Sequence, residues 1–125
     1  MAGWKVEITR AVIGAAIEVH RQLGPGMLER AYQRCLAFEL RERGLAVQTE
    51  VPLDVVYKGL AIPGSYRLDL LVEDRVVVEV KACDPLPPLA QAQLLTYLRF
   101  SGRSVGLLLN FHVERLKDGI HRLVL

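Results

Sequence analysis

The first 43 residues show the spacing of apolar positions that is typical of two helices. From about Trp4 to Leu23 apolar side chains recur every three or four residues, which predicts a helix with an inward stripe of Val12, Ile13, Ala16, Ile17, His20 and Leu23. The Gly-Pro-Gly sequence at 24–26 ends this helix. A second helix is predicted from about Met27 to Arg43 and ends at Gly44; its inward residues are Leu28, Ala31, Tyr32, Cys35, Leu36 and Leu40.

The pattern then changes to that of strands. The segments "AVQTEVPLDVVYKG" and "AIPGSYRLDLLVE" favour strands, and "RVVVEVKA" is rich in β-branched residues. A loop, "DPLPP", leads into a third helix from about Leu89 to Ser101, which Gly102 closes. The apolar "SVGLLLNF" predicts a buried strand, and "HRLVL" a last edge strand. The order ααβββαβ(β) predicts an α/β fold, with a central mixed β-sheet flanked by helices.

Composition narrows the class of protein. A chain of 125 residues with 51% apolar and 24% charged residues predicts one globular domain over residues 1–125. The net charge of +2 permits a polyanionic partner without requiring one. Cys35 and Cys83 form no CxxC motif, and two cysteines are too few for a four-cysteine iron–sulfur cluster.

Reduced thiols in a cytoplasmic protein are the simplest interpretation of these two cysteines. No apolar stretch approaches the ~20 residues that span a bilayer. The N-terminus lacks a signal-peptide cleavage pattern. We therefore expect a cytoplasmic location and no membrane partner.

Three charged residues interrupt the apolar strands of "RLDLLVEDRVVVEVKA": Asp69, Glu79 and Lys81. Side chains alternate along a strand, so Glu79 and Lys81 share one face of the sheet. Asp69 opposes Glu79 on that face only if the strands are joined by a three-residue turn, Glu73–Asp74–Arg75, or by a bulge. A two-residue turn would place the two carboxylates on opposite faces.

If they oppose each other, the two carboxylates repel, and a divalent cation would relieve the repulsion. Oxygen ligands suit Mg²⁺ or Mn²⁺ better than zinc. Such an ion would activate a water and neutralise charge on a phosphate, while Lys81 would orient the hydroxide or stabilise the phosphorane. The alternative is a cross-strand ion-pair cluster on a solvated face, and these three residues alone favour that alternative.

Three further polar residues bear on this choice. Gln93 and Tyr97 lie four residues apart, so they share one face of the third helix. Glu29 lies at the start of the second helix. Each has an ordinary explanation: Glu29 as a helix-terminal carboxylate, Gln93 as a solvated residue and Tyr97 as an aromatic at the edge of the core.

Together these residues carry a family resemblance. The sequence "GMLERAY" at 26–32 matches the G-x-x-E-x-x-Y signature of the GxxExxY proteins, which resemble PD-(D/E)xK nucleases. The spacing of Asp69, Glu79 and Lys81 resembles the nuclease motif, and Gln93-x-x-x-Tyr97 is similar to an element of RecB-like exonucleases. The resemblance covers nearly the whole chain and implies a restriction-endonuclease-like core.

The resemblance also implies roles for individual residues. Asp69, Glu79 and the Val80 carbonyl would ligate Mg²⁺ or Mn²⁺, with Glu29 as a further acidic ligand or a neighbour of the ligands. Lys81 would be the catalytic lysine. The residues that would contact nucleic acid or support the site are Gln93, Tyr97, Tyr32 and Arg30.

Two positions qualify the resemblance. RecB-like nucleases often place a metal-ligating histidine on the upstream helix, which makes His20 a secondary candidate. A packed, hydrogen-bonded core histidine is an equal alternative. Leu68 stands where the family usually has a proline.

The expected function is a Mg-dependent deoxyribonuclease that hydrolyses phosphodiester bonds of DNA through a metal-activated water. One alternative is a nucleic-acid-binding module with little activity. Another is a protein-interaction subunit with a structural metal site, and the small chain is compatible with a homodimer or a larger protein partner. A basic rim would favour nucleic acid, whereas basic residues scattered over unrelated faces would favour the interaction role. The candidates for the rim are Arg30, Arg34, Lys58, Arg67 and Arg99.

Overall fold

The computed structural model describes residues 3–125 and contains three α-helices, five strands and one 3-10 helix within that range. The helices are α1 (Gly3–Leu23), α2 (Glu29–Glu42) and α3 (Leu89–Ser101), and the 3-10 helix is Leu116–Gly119. The strands are β1 (Val47–Tyr57), β2 (Leu60–Val72), β3 (Val76–Lys81), β4 (Val105–Asn110) and β5 (Ile120–Val124). The predicted element order is confirmed, and the last strand is present.

The strands form one five-stranded sheet in the order β1-β2-β3-β4-β5. β3 and β4 are parallel and are connected through α3, whereas the other neighbours are antiparallel. A parallel pair needs such a crossover, which a hairpin turn cannot supply. The sheet is therefore mixed, and the predicted α/β fold with a central mixed sheet is confirmed.

Helices cover both faces of the sheet. On one face α1 and α2 pack on β2, β3 and β4; the buried residues there include Val12, Ala16, Tyr32, Leu36, Leu70, Val78, Leu107 and Phe111. On the other face α3 packs through Leu94, Tyr97 and Leu98 against Leu68, Leu71, Val77 and Leu108. The central strands β3 and β4 are buried on both sides, which explains their nearly continuous apolar sequences.

Two predicted core residues are exposed. Ile17 of α1 is 48% exposed, because the buried face of that helix is centred on Val12, Ala15, Ala16 and Val19. Leu28 is 80% exposed, because α2 begins at Glu29 and Leu28 is the extended residue before it. Both predicted helices are present, but the predicted inward stripe of α1 is rotated from its buried face, and α2 begins two residues later than predicted.

The predicted glycine ends of two helices are confirmed. Gly44 and Gly102, which follow α2 and α3, have φ angles of 86° and 70°. A side chain is disfavoured in this left-handed region, so glycine allows the chain to leave the helix there.

The β1–β2 hairpin extends beyond the rest of the sheet. Its turn is Lys58–Gly59, where both residues have positive φ, as a tight two-residue hairpin turn requires. Most residues from 54 to 67 are exposed, including Tyr57 and Leu60. Among residues 3–125 no helix combines the length and apolar character needed to cross a membrane.

Candidate active site

The turn between β2 and β3 sets the alignment on which the site depends. Val72 pairs with Val76, which leaves a three-residue turn of Glu73, Asp74 and Arg75. Glu73 and Asp74 have positive φ, and the N–H of Arg75 donates to the carbonyl of Val72 at 3.0 Å. The register that places Asp69 opposite Glu79 is therefore confirmed.

Regular pairing of β2 with β3 ends at the pair Leu70–Val78, and Asp69 and Glu79 would form the next pair of the ladder. Beyond that point side chains replace backbone partners. The N–H of Val80 donates to Oδ2 of Asp69 at 2.9 Å, and the N–H of Asp69 donates to Oε1 of Glu79 at 3.3 Å. Each carboxylate thus accepts from the other's strand, and the two acids meet where the strands separate.

Lys81 lies two residues beyond Glu79, and its side chain reaches α3. Its Nζ donates to Oε1 of Gln93 at 3.4 Å. Gln93 therefore lies at the site, as expected from the helix face that it shares with Tyr97. Tyr97 is 6% exposed and its ring centroid lies 5.9 Å from that of Tyr66. Gln93 therefore contacts the ammonium group, and Tyr97 forms part of the packed wall beside the acids.

Both acids have a raised affinity for a proton. Burial, and then the charge of Asp69, raise the pKa of Glu79 to about 8, and the side chain is only 4% exposed. Burial also raises the pKa of Asp69, although the Val80 N–H and Lys81 oppose that shift. At neutral pH the pair therefore lacks enough positive charge nearby to keep both carboxylates ionised.

The same field acts on Tyr97. Burial, followed by the charges of Glu79 and Asp69, raises the pKa of Tyr97 to about 12. The phenol stays neutral at physiological pH and can only donate or accept a hydrogen bond there.

Glu29 lies near the acids but is exposed, and it makes no hydrogen bond to either of them. It is the first residue of α2, and its charge contributes to the raised pKa values of both Asp69 and Glu79. Across residues 3–125 no three His, Cys, Asp or Glu side chains are grouped closely enough to hold a metal ion together. The structure thus assembles two of the three predicted acids and leaves Glu29 at the margin.

Tyr32 and His20 lie in the core next to this region. Tyr32 is fully buried; its hydroxyl donates to the Gly24 carbonyl and accepts from the Met27 N–H at 3.1 Å, and its ring stacks on Phe111 at 4.5 Å. Because Tyr32 is buried, it cannot reach a ligand. Its role is to support the site by holding the connection between α1 and α2.

His20 is packed in the core and is hydrogen-bonded there. Its side chain is 9% exposed, and Nε2 donates to the Val113 carbonyl at 2.8 Å. The ring also lies 6.2 Å from that of Phe111. A hydrogen-bonded core histidine accounts for this arrangement.

Glu50 and Gln33 approach Asp69 but were not predicted. Glu50 of β1 lies between the pairs Thr49–Leu70 and Val51–Leu68, and its charge raises the pKa of Asp69. Gln33 of α2 donates from Nε2 to the Asp69 carbonyl at 3.5 Å. The spacing of Gln33 four residues after Glu29 was an available signal, since both lie on one helix face. Glu50 had no comparable signal.

Asn110 is a third residue that sequence reasoning missed. It pairs with Lys81 in the parallel β3–β4 ladder and is 5% exposed. Its side chain donates to the Cys83 carbonyl at 2.8 Å and accepts from the Cys83 N–H at 3.2 Å. Asn110 thereby fixes the chain directly after Lys81. The feature of the sequence that could have predicted it is a polar residue at the end of an otherwise apolar strand.

The donor set fits a hard divalent cation. Asp69 and Glu79 offer only oxygen atoms, and burial raises the pKa of both, an effect that a bound cation would oppose. Mg²⁺ and Mn²⁺ prefer such ligands and retain waters in the remaining positions, so two acids suffice on the protein side.

Comparison with known families agrees with the predicted restriction-endonuclease-like fold. A family model of the PD-(D/E)XK nuclease superfamily matches residues 6–123, which include all three helices' core residues and the acids. Neither curated proteins nor solved structures gave a match. The match spans nearly the whole chain, and the chain therefore belongs to the PD-(D/E)XK nuclease superfamily.

Proposed function

We propose that this nuclease-like domain is a divalent-metal-dependent deoxyribonuclease that hydrolyses phosphodiester bonds at Asp69, Glu79 and Lys81. The observation that carries the proposal is the meeting of two acids, one of them fully enclosed, at the point where β2 and β3 separate. In a structural ion pair the cation lowers the pKa of the acid beside it, whereas here Lys81 does not offset the effect of burial, and the pKa values of both acids stay raised.

Mg²⁺ or Mn²⁺, held by Asp69 and Glu79 with the Val80 carbonyl, would supply charge neutralisation and lower the pKa of a water. The chain's own residues do the rest. The Val80 N–H fixes the Asp69 carboxylate, and the Asp69 N–H fixes that of Glu79. Both acids therefore need little reorganisation before binding an ion, which favours rapid and specific binding.

Lys81 has the second role. Its ammonium group is half-buried and is held on one side by Gln93 Oε1. Lysine has three donors, so two remain for a phosphate oxygen or for the attacking oxygen. Stabilising negative charge that develops on the phosphate is the larger contribution expected from a fixed cation in such a site.

A cleavage assay tests this proposal. Wild-type protein is incubated with end-labelled single-stranded, duplex and branched DNA in Mg²⁺, in Mn²⁺ and in EDTA. The proposal predicts cleavage of at least one substrate with metal, none in EDTA, and none with Lys81→Ala. Metal-independent cleavage, or equal cleavage by Lys81→Ala, would show that another site or a contaminant acts.

A protein-interaction role is the second candidate, and the exposed outer part of the β1–β2 hairpin favours it. Apolar side chains that are 40% or more exposed there include Val56, Tyr57, Leu60, Ile62 and Tyr66. A surface of this kind is typical of contacts with another chain, including a second copy. Sedimentation velocity over a range of concentrations tests the homodimer: Tyr57→Ser should remove a concentration-dependent dimer if the hairpin forms it.

A further inference from the structure

A groove between α2 and β1 is lined by three arginines and one exposed aromatic ring. Its cavity volume is about 320 Å³, and its lining includes Arg30, Arg34, Phe38, Arg41, Thr49 and Glu50. The four α2 residues are spaced by four, four and three positions, so they form one continuous stripe on the helix surface. We call this feature the α2 groove.

The arginines of the α2 groove are not neutralised by acidic side chains. The ion pairs formed among residues 3–125 are Arg21–Glu18, Arg43–Glu39 and Arg103–Asp74. None of them includes an arginine of the groove. Three cations against the single carboxylate of Glu50 leave the groove positive, although the chain as a whole carries only +2. Local charge of this kind attracts anions.

The α2 groove adjoins the candidate active site. Gln33, which lines it, donates to the Asp69 carbonyl at 3.5 Å. Glu50, on its other wall, is close enough for its charge to raise the pKa of Asp69. A ligand that fills the groove therefore lies close to Asp69.

Phe38 indicates what kind of anion fits. Its side chain is 64% exposed, in the middle of the arginine stripe. A base stacks on such a ring only when its face is free, as in a single strand, since duplex bases are already stacked. The volume lies at the lower end of the roughly 300–1,000 Å³ of ligand pockets. It suits one nucleotide better than a base pair.

We propose that the α2 groove is a subsite for one nucleotide of single-stranded DNA next to the cleaved bond. Arg30 and Arg34 bind the phosphates, and Phe38 stacks on the base. Arg41 forms the far wall, where its Nη2 donates to the Val47 carbonyl at 2.9 Å. The proposal rests on the proposed nuclease function and names the form of its substrate.

Binding without cleavage tests the subsite. Fluorescence anisotropy with a labelled oligothymidylate in EDTA gives the affinity of wild type, Arg34→Ala, Phe38→Ala and Arg10→Ala over a range of salt concentrations. Arg10 is exposed on α1, outside the lining of the groove, so Arg10→Ala removes the same charge elsewhere. All three replaced side chains are exposed, so each variant is expected to fold. Circular dichroism is used to check the folding of each one.

Each variant has its own expected signature. Arg34→Ala should weaken binding and reduce the slope of log affinity against log salt by about 0.7, the value for one phosphate contact on a single strand. Phe38→Ala should weaken binding on the order of tenfold and leave that slope unchanged, because stacking is not ionic. Arg10→Ala should bind as wild type does. Unlabelled duplex should compete much less well than unlabelled single strand.

Three results would overturn the subsite: no binding by wild type, equal weakening by Arg10→Ala and Arg34→Ala, or no effect of Phe38→Ala. Equal competition by duplex would overturn the assignment to single strands. Failure of the proposed function looks different. Wild type would then bind as expected, with the variant effects above, but would cleave no DNA in Mg²⁺ or Mn²⁺. Conversely, if Arg34→Ala and Phe38→Ala cleave DNA as fast as wild type does, the subsite is contradicted and the nuclease function is not.

Discussion

The backbone N–H of Asp69 donates a 3.3 Å hydrogen bond to the carboxylate of Glu79, ten residues later in the chain. The carboxylate of Asp69 in turn accepts from Val80, the residue after Glu79, at 2.9 Å. These two contacts replace the next step of the β2–β3 ladder. They hold the buried Glu79 beside the half-buried Asp69, which is unfavourable unless a proton or a cation joins the two acids.

The first prediction concerns the stability of the metal-free protein against pH. The pKa of Glu79 rises from its ordinary value of 4.5 to about 8 in the folded state, chiefly through burial. The folded chain therefore binds a proton that the unfolded chain releases between these values. This contribution to stability is fully present below about pH 4.5 and is lost as the pH rises through about 8.

Thermal melts in EDTA between about pH 5 and pH 9 measure this loss. The melting temperature of wild type should fall as the pH rises. Glu79→Gln, which still accepts the Asp69 N–H, should show a much smaller fall. A wild-type protein as stable at the alkaline end as at the acidic end would contradict the raised pKa.

The second prediction concerns Asp69→Asn, which keeps an oxygen for the Val80 N–H but removes one charge. Without metal the variant should be as stable as wild type or more so, because Glu79 no longer faces a second carboxylate. A metal at 100 times its dissociation constant should stabilise wild type by about 2.7 kcal/mol. The variant should lose most of that gain. Titration calorimetry with Mn²⁺ checks the affinity directly, and unchanged affinity in Asp69→Asn would remove Asp69 as a ligand.

The third prediction concerns Gln93, which accepts from Lys81 Nζ. Gln93→Ala should reduce the rate of cleavage on the order of tenfold, because the ammonium group is less well positioned. Metal affinity should not change, since Gln93 contacts no acid. Gln91→Ala is the matched control: it removes the same side chain from the same helix, at an exposed position near His121. Equal effects of the two variants would assign the loss to α3 and not to the Lys81 contact.

Part of this structure follows directly from the sequence. The limits of α3 are as predicted, because a proline-rich loop and Gly102 mark its ends. The alternation of side chains showed that Asp69 and Glu79 share a face only with a three-residue turn or a bulge, and the structure has the three-residue turn. These features depend on local backbone preferences and on a side-chain period of two, which the sequence displays.

The position of Glu50 could not be predicted. Counting back from the Lys58–Gly59 turn places Gln48 opposite Asp69. A shift of register between Leu53 and Val55 brings Glu50 there instead, with a φ of 50°. Gly64 of β2, with a φ of 67°, lies opposite this irregularity, but a glycine alone does not give the size of the shift in register.

Only part of the arginine stripe was predicted from the sequence. Arg30 and Arg34 share the α2 groove, but Lys58, Arg67 and Arg99 of the predicted rim lie on the hairpin and on α3. Phe38 and Arg41 continue the same helical spacing, but the wall that β1 adds through Thr49 and Glu50 does not follow from the sequence.

Paired melting and cleavage measurements on wild type, Asp69→Asn and Lys81→Ala test most directly whether divalent-metal-dependent hydrolysis occurs at this site. Wild type should show a metal-dependent rise in melting temperature and should cleave DNA. Lys81→Ala should keep the rise, since a cation is not a ligand, and lose cleavage on the order of 100-fold or more. Asp69→Asn should lose both. If wild type shows no shift at millimolar Mg²⁺ or Mn²⁺ and cleaves no DNA, the three residues are a cross-strand charge cluster and the account is wrong.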